Sequence, residues 1–225
     1  MKNYSIAIDG PSGAGKSTIS KTVAKKMGIV HIDTGAIYRT IGLYFYQQGI
    51  DCTDAGKIVP LLEKINIELD ITSDGQRMLL DGKDVSLDIR QHHISQCASQ
   101  VSAIPQVRAH LLNMQRDFAK KQSIVMDGRD IGTVVLPDAY IKIFLTASPE
   151  SRAQRRYEEL VQRGESVSYD KILEDVKTRD YNDSHREIAP LKPAEDSILV
   201  DTTGFELQDS INKIVGIVEE KIKCF

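Results

Sequence analysis

The segment Gly10-Pro11-Ser12-Gly13-Ala14-Gly15-Lys16-Ser17-Thr18 satisfies G-x-x-x-x-G-K-[ST]. It stands directly after an apolar run, Tyr4 to Ile8, and directly before a stretch from Thr18 to Met27 with helical spacing at Ile19, Val23 and Met27. Strand, glycine loop and helix in that order constrain the fold more than any other feature of the chain. The glycines let successive backbone N–H groups turn inward around a phosphate, and the helix N-terminus adds its positive end. Lys16 reaches the β/γ oxygens and the Ser17 hydroxyl is a ligand for Mg²⁺, so the loop implies a nucleoside triphosphate site with residues 10–18 around the phosphates. An incidental glycine turn is the competing reading, and the setting argues against it.

Four further short apolar runs follow: Ile29 to Ile32, Ser123 to Met126, Ile141 to Leu145 and Ser197 to Val200. Separated by helical patterns, they look like parallel strands buried on both faces. We therefore expect an α/β fold, a three-layer sandwich around a five-stranded parallel sheet. One stretch breaks the rhythm. Ile65, Ile67, Leu69 and Ile71 alternate with Asn66, Glu68 and Asp70, then the chain turns at Ser73-Asp74-Gly75, runs from Arg77 to Leu80 and turns again at Asp81-Gly82 before Val85. That pattern predicts a small antiparallel β subdomain with one wet face, inserted into the parallel domain. The stripe Leu207, Ile211, Ile214, Val215 and Val218 predicts a C-terminal packing helix between Phe205 and Ile222.

A P-loop serves GTPases, ATPases, motors and small-molecule kinases alike. The chain lacks a guanine-reading Asn-Lys-x-Asp, since its only Asn-Lys, Asn212-Lys213, continues into Ile214 and Val215. Asp33-Thr34-Gly35-Ala36-Ile37-Tyr38-Arg39 follows the second strand, and Asp127-Gly128-Arg129-Asp130 follows the third. Both lie at the carboxyl edge of the sheet, where open α/β folds bind ligands. Asp127 is placed to hold Mg²⁺ through water as a second carboxylate, and Arg129 and Asp130 to face an acceptor; a salt-bridged turn is the alternative. Six of the twelve arginines, Arg152, Arg155, Arg156, Arg163, Arg179 and Arg186, fall within residues 152–186. Ser148 as N-cap and Pro149 start a helix that sets Arg152, Arg155 and Arg156 on one face, where Glu159 can relieve Arg155 at i+4. Arg179, Asp183 and Arg186 form a second stripe, a surface pair or a clamp around a ribose, and Gly164 with Ser166 marks the tip of a lid. The His92-His93 pair has no carboxylate motif beside it and reads as structural or exposed.

Taken together, GPSGAGKST, DTGAIYR, the inserted meander, ASQVSA with PQVR, DGRDIGTVV-PDA-KIFL and TRDYNDSHR-IAPL resemble the bacterial cytidylate kinases of the nucleoside monophosphate kinase family over nearly the whole chain. The resemblance implies ATP-dependent phosphorylation of CMP or dCMP in pyrimidine nucleotide metabolism, with ATP and Mg²⁺ bound. It implies one domain over 1–225: a core of 1–35, 109–150 and 187–225, an acceptor-binding part of about 36–108, and a lid with flanking helices of about 151–186. It places Thr34, Arg39, Arg129 and Arg179 around the acceptor phosphate and sugar, Ser99, Arg108 and Asp130 at the cytosine, and Asp183 with Arg186 at the ribose. Lys16, Arg129, Arg152 and Arg156 become the catalytic cations. Thr34 stands where some relatives carry Ser. A carboxylate such as Asp130 accepts from the exocyclic amine of cytosine, whereas the O4 of uracil there meets like polarity. A kinase for UMP or AMP, or a non-catalytic ATP-binding regulatory module, is the alternative.

Composition narrows the partners. With 29 Lys+Arg against 32 Asp+Glu the net charge is −3, and 41% hydrophobic with 27% charged residues is an ordinary globular mix. That argues against nucleic acid as a partner. Cys52, Cys97 and Cys224 have neither an even count nor paired spacing, so thiols in a reducing compartment are expected. Asp9 interrupts the first apolar run, and Pro137, Asp138 and Lys142 interrupt the longest, so we expect no leader peptide and no membrane span. A cytoplasmic protein working as a monomer on small-molecule substrates is the accompanying expectation.

Overall fold

The computed structural model describes residues 3–72, 75–162 and 164–223. Five strands, β1 (Ser5–Asp9), β2 (Val30–Asp33), β6 (Ile124–Gly128), β7 (Ile141–Thr146) and β8 (Ile198–Asp201), form one parallel sheet in the order β2-β6-β1-β7-β8. Each of the five apolar runs is a strand, displaced by one or two residues at its ends. The two faces separate cleanly by the two-residue period of a strand. Ile6, Ile8, Val125, Ile143 and Leu145 pack on Ile19 and Val23 of α1 (Lys16–Met27) and Ile214 and Val218 of α8 (Leu207–Ile222). Ala7, Ile124 and Met126 face the other way, toward Leu112, Phe118 and Ala119 of α5 (Pro105–Lys121). Burial on both sides is why these strands read as continuous apolar runs. The helix after the P-loop begins earlier than its apolar spacing indicates, at Lys16, so Lys16 and Ser17 belong to its first turn.

The inserted part has its own core. Ile37, Ile41 and Phe45 of α2 (Thr34–Gln47) pack with Ile58 of α3 (Ala55–Ile58), Ile94 and Val101 of α4 (His92–Ser102), and Ile67, Met78 and Leu80 of an antiparallel sheet. Gly42 lets α2 and α4 close in: a Cβ there would stand 3.0 Å from the Ala98 nitrogen and 3.1 Å from the Cys97 Cβ. The sheet is β3 (Ile67–Thr72), β4 (Gly75–Leu80) and β5 (Lys83–Asp84), in that order. Pairing starts at Ile67 rather than Ile65, because the Ile65 N–H is taken by Leu62 O at the end of a 3₁₀ turn. Along the alternating face Ile67 is buried, Leu69 half-buried and Ile71 exposed, so the strand leaves the core toward its tip. Asp81 and Gly82, both at positive φ (51° and 78°), join β4 to β5 as a tight hairpin turn. The expected turn at Ser73-Asp74 lies outside the described residues, as do Arg163 and Cys224.

The third part is a helix pair, α6 (Pro149–Gln162) and α7 (Tyr169–His185), packed through Ala153, Leu160, Ile172 and Val176. Ser148 caps α6, its hydroxyl accepting from the Ser151 N–H at 3.2 Å. Arg186 does not continue the α7 stripe: with ψ of 144° it has already left the helix, which lets its side chain turn toward Asp130.

Candidate active site

The carboxyl ends of β1, β2 and β6 open into one cleft of about 880 Å³, roofed by α4 on one side and by α6 and α7 on the other. The P-loop forms its floor. Gly10 (φ 151°) passes so close to β7 that a Cβ would stand 1.9 Å from Leu145 O. Gly13 and Gly15 also take positive φ, 76° and 88°, so the loop wraps before α1 begins. Lys16 Nζ donates to Pro11 O at 2.7 Å. Burial, and then the neighbouring Arg129 guanidinium, push the Lys16 ammonium well below its usual range, against the pull of Asp127 and Asp9.

The end of β6 carries the densest polar cluster. Ser17 Oγ donates to Asp127 Oδ2 at 2.8 Å, Thr34 Oγ1 donates to Asp127 O at 2.8 Å, and His31 Nε2 lies 2.6 Å from Asp127 Oδ1. Arg129 Nε donates to Asp183 Oδ2 at 2.9 Å. Arg108 Nη2 donates to Asp130 Oδ2, and Arg186 Nη2 stands 3.7 Å from the other oxygen. Burial raises the Asp183 carboxyl, but Arg129 and Arg179 outweigh it and hold the group below the usual carboxylate range. Arg179 is pushed down to about 10 by burial and by Arg129, with Arg39 and Arg156 adding to the repulsion. The Nε atoms of Arg39 and Arg179 and the Nη2 of Arg186 are buried without a hydrogen-bond partner. Buried, mutually repelling guanidiniums with free donors are built to take an anion. Ser99 lines the same cleft beside Arg108 and Asp130.

The arginines of α6 do not share one face in action. Arg152 is locked by three acceptors: Ala147 O from Nε at 2.9 Å, Ser12 O from Nη1 at 3.0 Å, and the Asp180 carboxylate from both terminal nitrogens. Arg155 turns to Thr202 O and Phe205 O beyond β8, at 2.9 and 3.1 Å, and does not meet Glu159. Glu159 pairs instead with Arg156, at 2.8 Å and one helical turn away by i+3. Arg152 and Arg156 line the cleft. His92 and His93 line the same cleft from α4, His92 3.7 Å from Asp175 and His93 against the Tyr46 ring.

The family model for cytidylate kinase matches residues 6–220. The chain belongs to the cytidylate kinase family. A cytidylate kinase of Caldicellulosiruptor saccharolyticus is 50% identical over 217 residues, covering 96% of each chain. That of Bacillus subtilis is 47% identical over 220 residues, 98% of each. Among solved structures, an uncharacterised protein from Eubacterium ventriosum shares the fold at a TM-score of 0.54 and 15% identity, over 97% of this chain and 99% of the other.

Sequence reasoning missed four side chains that build this cytidylate kinase site. His31 and Asp180 hold Asp127 and Arg152. Gln76 of β4 accepts the Asp33 N–H at 2.7 Å and donates to Asp33 O at 3.2 Å, tying the inserted sheet to the strand that carries the Asp33–Arg39 pair. Asp9 accepts the Ile131 and Gly132 N–H groups, each at 2.7 Å, and so shapes the π-helical turn after Asp130. A polar residue closing a buried strand run, as Asp9 does, is the one signal that pointed to any of them.

Proposed function

We propose that this protein transfers the γ-phosphoryl group of ATP to CMP or dCMP, giving ADP and CDP or dCDP. The observation that carries the reading is the single cleft in which the P-loop and the Arg108–Asp130 pair share walls with Arg39, Arg129 and Arg179. One triphosphate and one monophosphate then meet in line. The acceptor is already an anionic phosphate oxygen, so the reaction needs neither a strong base nor a covalent intermediate. The acceptor oxygen attacks the γ-phosphorus, the bond to the bridging oxygen breaks, and ADP leaves.

Residues 10–18 hold the triphosphate of ATP, with Lys16 on the transferring group. Arg39, Arg129 and Arg179 receive the acceptor phosphate, and Thr34, Asp183 and Arg186 its sugar. Ser99, Arg108 and Asp130 read cytosine: Arg108 occupies Oδ2 of Asp130, leaving Oδ1 to accept from the exocyclic amine. Arg156 meets the phosphoryl in transit, and Arg152 braces the loop at Ser12 O. Lys16, Arg129 and Arg156 neutralise charge that develops only as the phosphoryl moves, with Arg152 holding the loop in place beside them.

The donor set fits Mg²⁺. Ser17 Oγ and the Asp127 carboxylate are hard oxygen donors 2.8 Å apart at the P-loop; Ser17 would be the ligand and Asp127 would hold the ion through water, with phosphate oxygens and water completing the set that Mg²⁺ prefers. Ser17 and Asp127 would hold Mg²⁺, which would supply neutralisation of the triphosphate's negative charge.

We take residues 36–108 and 151–186 as the two parts that close over the substrates, and the protein as a cytoplasmic monomer. Among the described residues Cys52 and Cys97 are free thiols. Among the described residues no helix is long and apolar enough to cross a membrane. The test is an acceptor panel: CMP, dCMP, UMP, AMP and GMP, each with ATP and Mg²⁺, followed by chromatography of the diphosphates. CDP and dCDP formed well ahead of UDP support the reading. Transfer to UMP or AMP first overturns the base assignment, and ATP binding without transfer overturns the kinase.

A further inference from the structure

His31 does no work in the mechanism above, yet its ring is 8% exposed and stands 2.6 Å from the one carboxylate the P-loop serine touches. It lies two residues before Asp33 on β2, and Asp33 pairs in register with Asp127 on β6. Residues two apart on a strand share a face, so His31, Asp33 and Asp127 crowd one side of the sheet edge. Two carboxylates side by side raise the cost of charging either. Arg39 offsets Asp33 on the outer side, at 2.8 Å. His31 sits at the inner side and contributes to holding Asp33 below the usual carboxylate range, against the opposing effect of burial.

The contact has a fixed polarity. An ionised carboxylate only accepts, so the ring nitrogen facing it, Nε2, carries the proton and donates. With Ser17 on Oδ2 and His31 on Oδ1, both oxygens are held from opposite sides and the carboxylate plane has one orientation. A carboxylate that holds a metal, directly or through water, works best when so oriented, and removing such outer partners costs about 10–100-fold in metal affinity or activity. We infer that His31 is a positioning residue that presents the Asp127 carboxylate to the P-loop cation. The inference rests on the proposed Mg²⁺ role of Asp127.

The test uses three variants of the full chain. His31→Phe keeps a ring and removes the donor, His31→Gln keeps a donor, and Asp127→Ala removes the carboxylate itself. Mn²⁺ binding to the ATP complex, followed by water proton relaxation, reads the site without turnover. The Mg²⁺ concentration for half-maximal rate and the KM for CMP are measured beside it. The expected result is about 10-fold weaker Mn²⁺ binding and a matching rise in the Mg²⁺ requirement in His31→Phe, with KM for CMP within about 2-fold and most of the loss recovered in His31→Gln. Unchanged Mn²⁺ binding in His31→Phe with binding lost in Asp127→Ala overturns the role of His31 and leaves the metal reading standing. Unchanged binding in Asp127→Ala overturns the metal reading and the inference with it. A His31→Gln variant no better than His31→Phe, or equal losses for Mn²⁺ and CMP, makes His31 a general structural residue and overturns the inference.

Discussion

Arg108, near the start of α5, and Asp130, just beyond β6, form an ion pair whose side chains are 9% and 6% exposed, with the Arg186 guanidinium 3.7 Å from the free carboxylate oxygen. Two cations thus depend on one carboxylate in a place with little water. Removing the charge by Asp130→Ala leaves them uncompensated, a loss of about 3–5 kcal/mol for a buried pair. Asp130→Asn is the cleaner probe, because it keeps the size and one acceptor oxygen. Its amide offers oxygen to cytosine or N–H to the O4 of uracil. The ratio of kcat/KM for CMP to that for UMP should fall at least about 10-fold in Asp130→Asn, with most of the change from loss of CMP activity. A ratio unchanged in parallel assays would place base recognition elsewhere.

Lys16 separates function from stability. Its ammonium is buried beside Arg129 and Arg179, both of which disfavour its charge. Functional sites often hold groups that destabilise the fold. Lys16→Met removes that cation while filling much of the same volume. Phosphoryl transfer should fall by about 10³-fold or more, the scale of losing a transition-state cation or donor. The thermal midpoint at neutral pH should stay level or rise. A lowered midpoint would mean that the hydrogen bond from Nζ to Pro11 O contributes more than the charge costs.

What was legible in advance follows from range. The P-loop is read locally, since each glycine answers a backbone need within nine residues. The five strands are legible because burial on both faces leaves no room for polar side chains between Ser5 and Ile8 or between Ile141 and Leu145, Lys142 apart. The choice of partner for each charge is another matter. Spacing along α6 favours Arg155 with Glu159, yet Arg155 finds free carbonyls at Thr202 and Phe205 and Glu159 goes to Arg156. His31 meets Asp127 across 96 positions and Gln76 meets Asp33 across 43. Such contacts exist only once the sheet order and the insertion are set, and no local pattern marks the residues that make them.

Asp9 gives a pH dependence of definite sign. Burial raises its carboxyl to about 6, against the Ile131 and Gly132 N–H groups that lower it. Its folded value lies above the unfolded one, about 3.9, so the folded state binds the proton more tightly. Stability from this group is therefore fully present below about pH 4 and is lost as pH rises toward 6, in all on the order of 2–3 kcal/mol. Asp183 runs the opposite way: held low, its contribution is present at neutral pH and lost as pH falls below the unfolded value. The two are separated by comparing the protein with Asp9→Asn in urea unfolding at pH 5 and 7.5. The unsubstituted protein should lose stability across that interval relative to Asp9→Asn. Parallel curves would show that Asp9 is ionised in the fold throughout.

Gln76 ties the inserted sheet to the acceptor side, and its loss should be felt there and not at ATP. Its side-chain amide pairs with both the N–H and the C=O of Asp33, the residue that caps α2 through the Ala36 N–H and holds Arg39. In Gln76→Ala the Asp33 N–H, which β2 does not satisfy on that side, is left without this acceptor. One unmet buried backbone donor costs about 1–3 kcal/mol. The strand end then loosens, and Arg39 with it. Steady-state kinetics should show KM for CMP raised about 5–20-fold, the equivalent of about 1–1.8 kcal/mol, while KM for ATP changes less than about 2-fold, because the Gln76 amide bonds Asp33 on the acceptor side. Gln76→Glu discriminates further. It keeps an acceptor for the Asp33 N–H but places a carboxylate against the Asp33 carbonyl, so it should recover part of the stability and none of the CMP affinity. Equal effects on both substrates would instead mean that the inserted sheet supports the whole cleft.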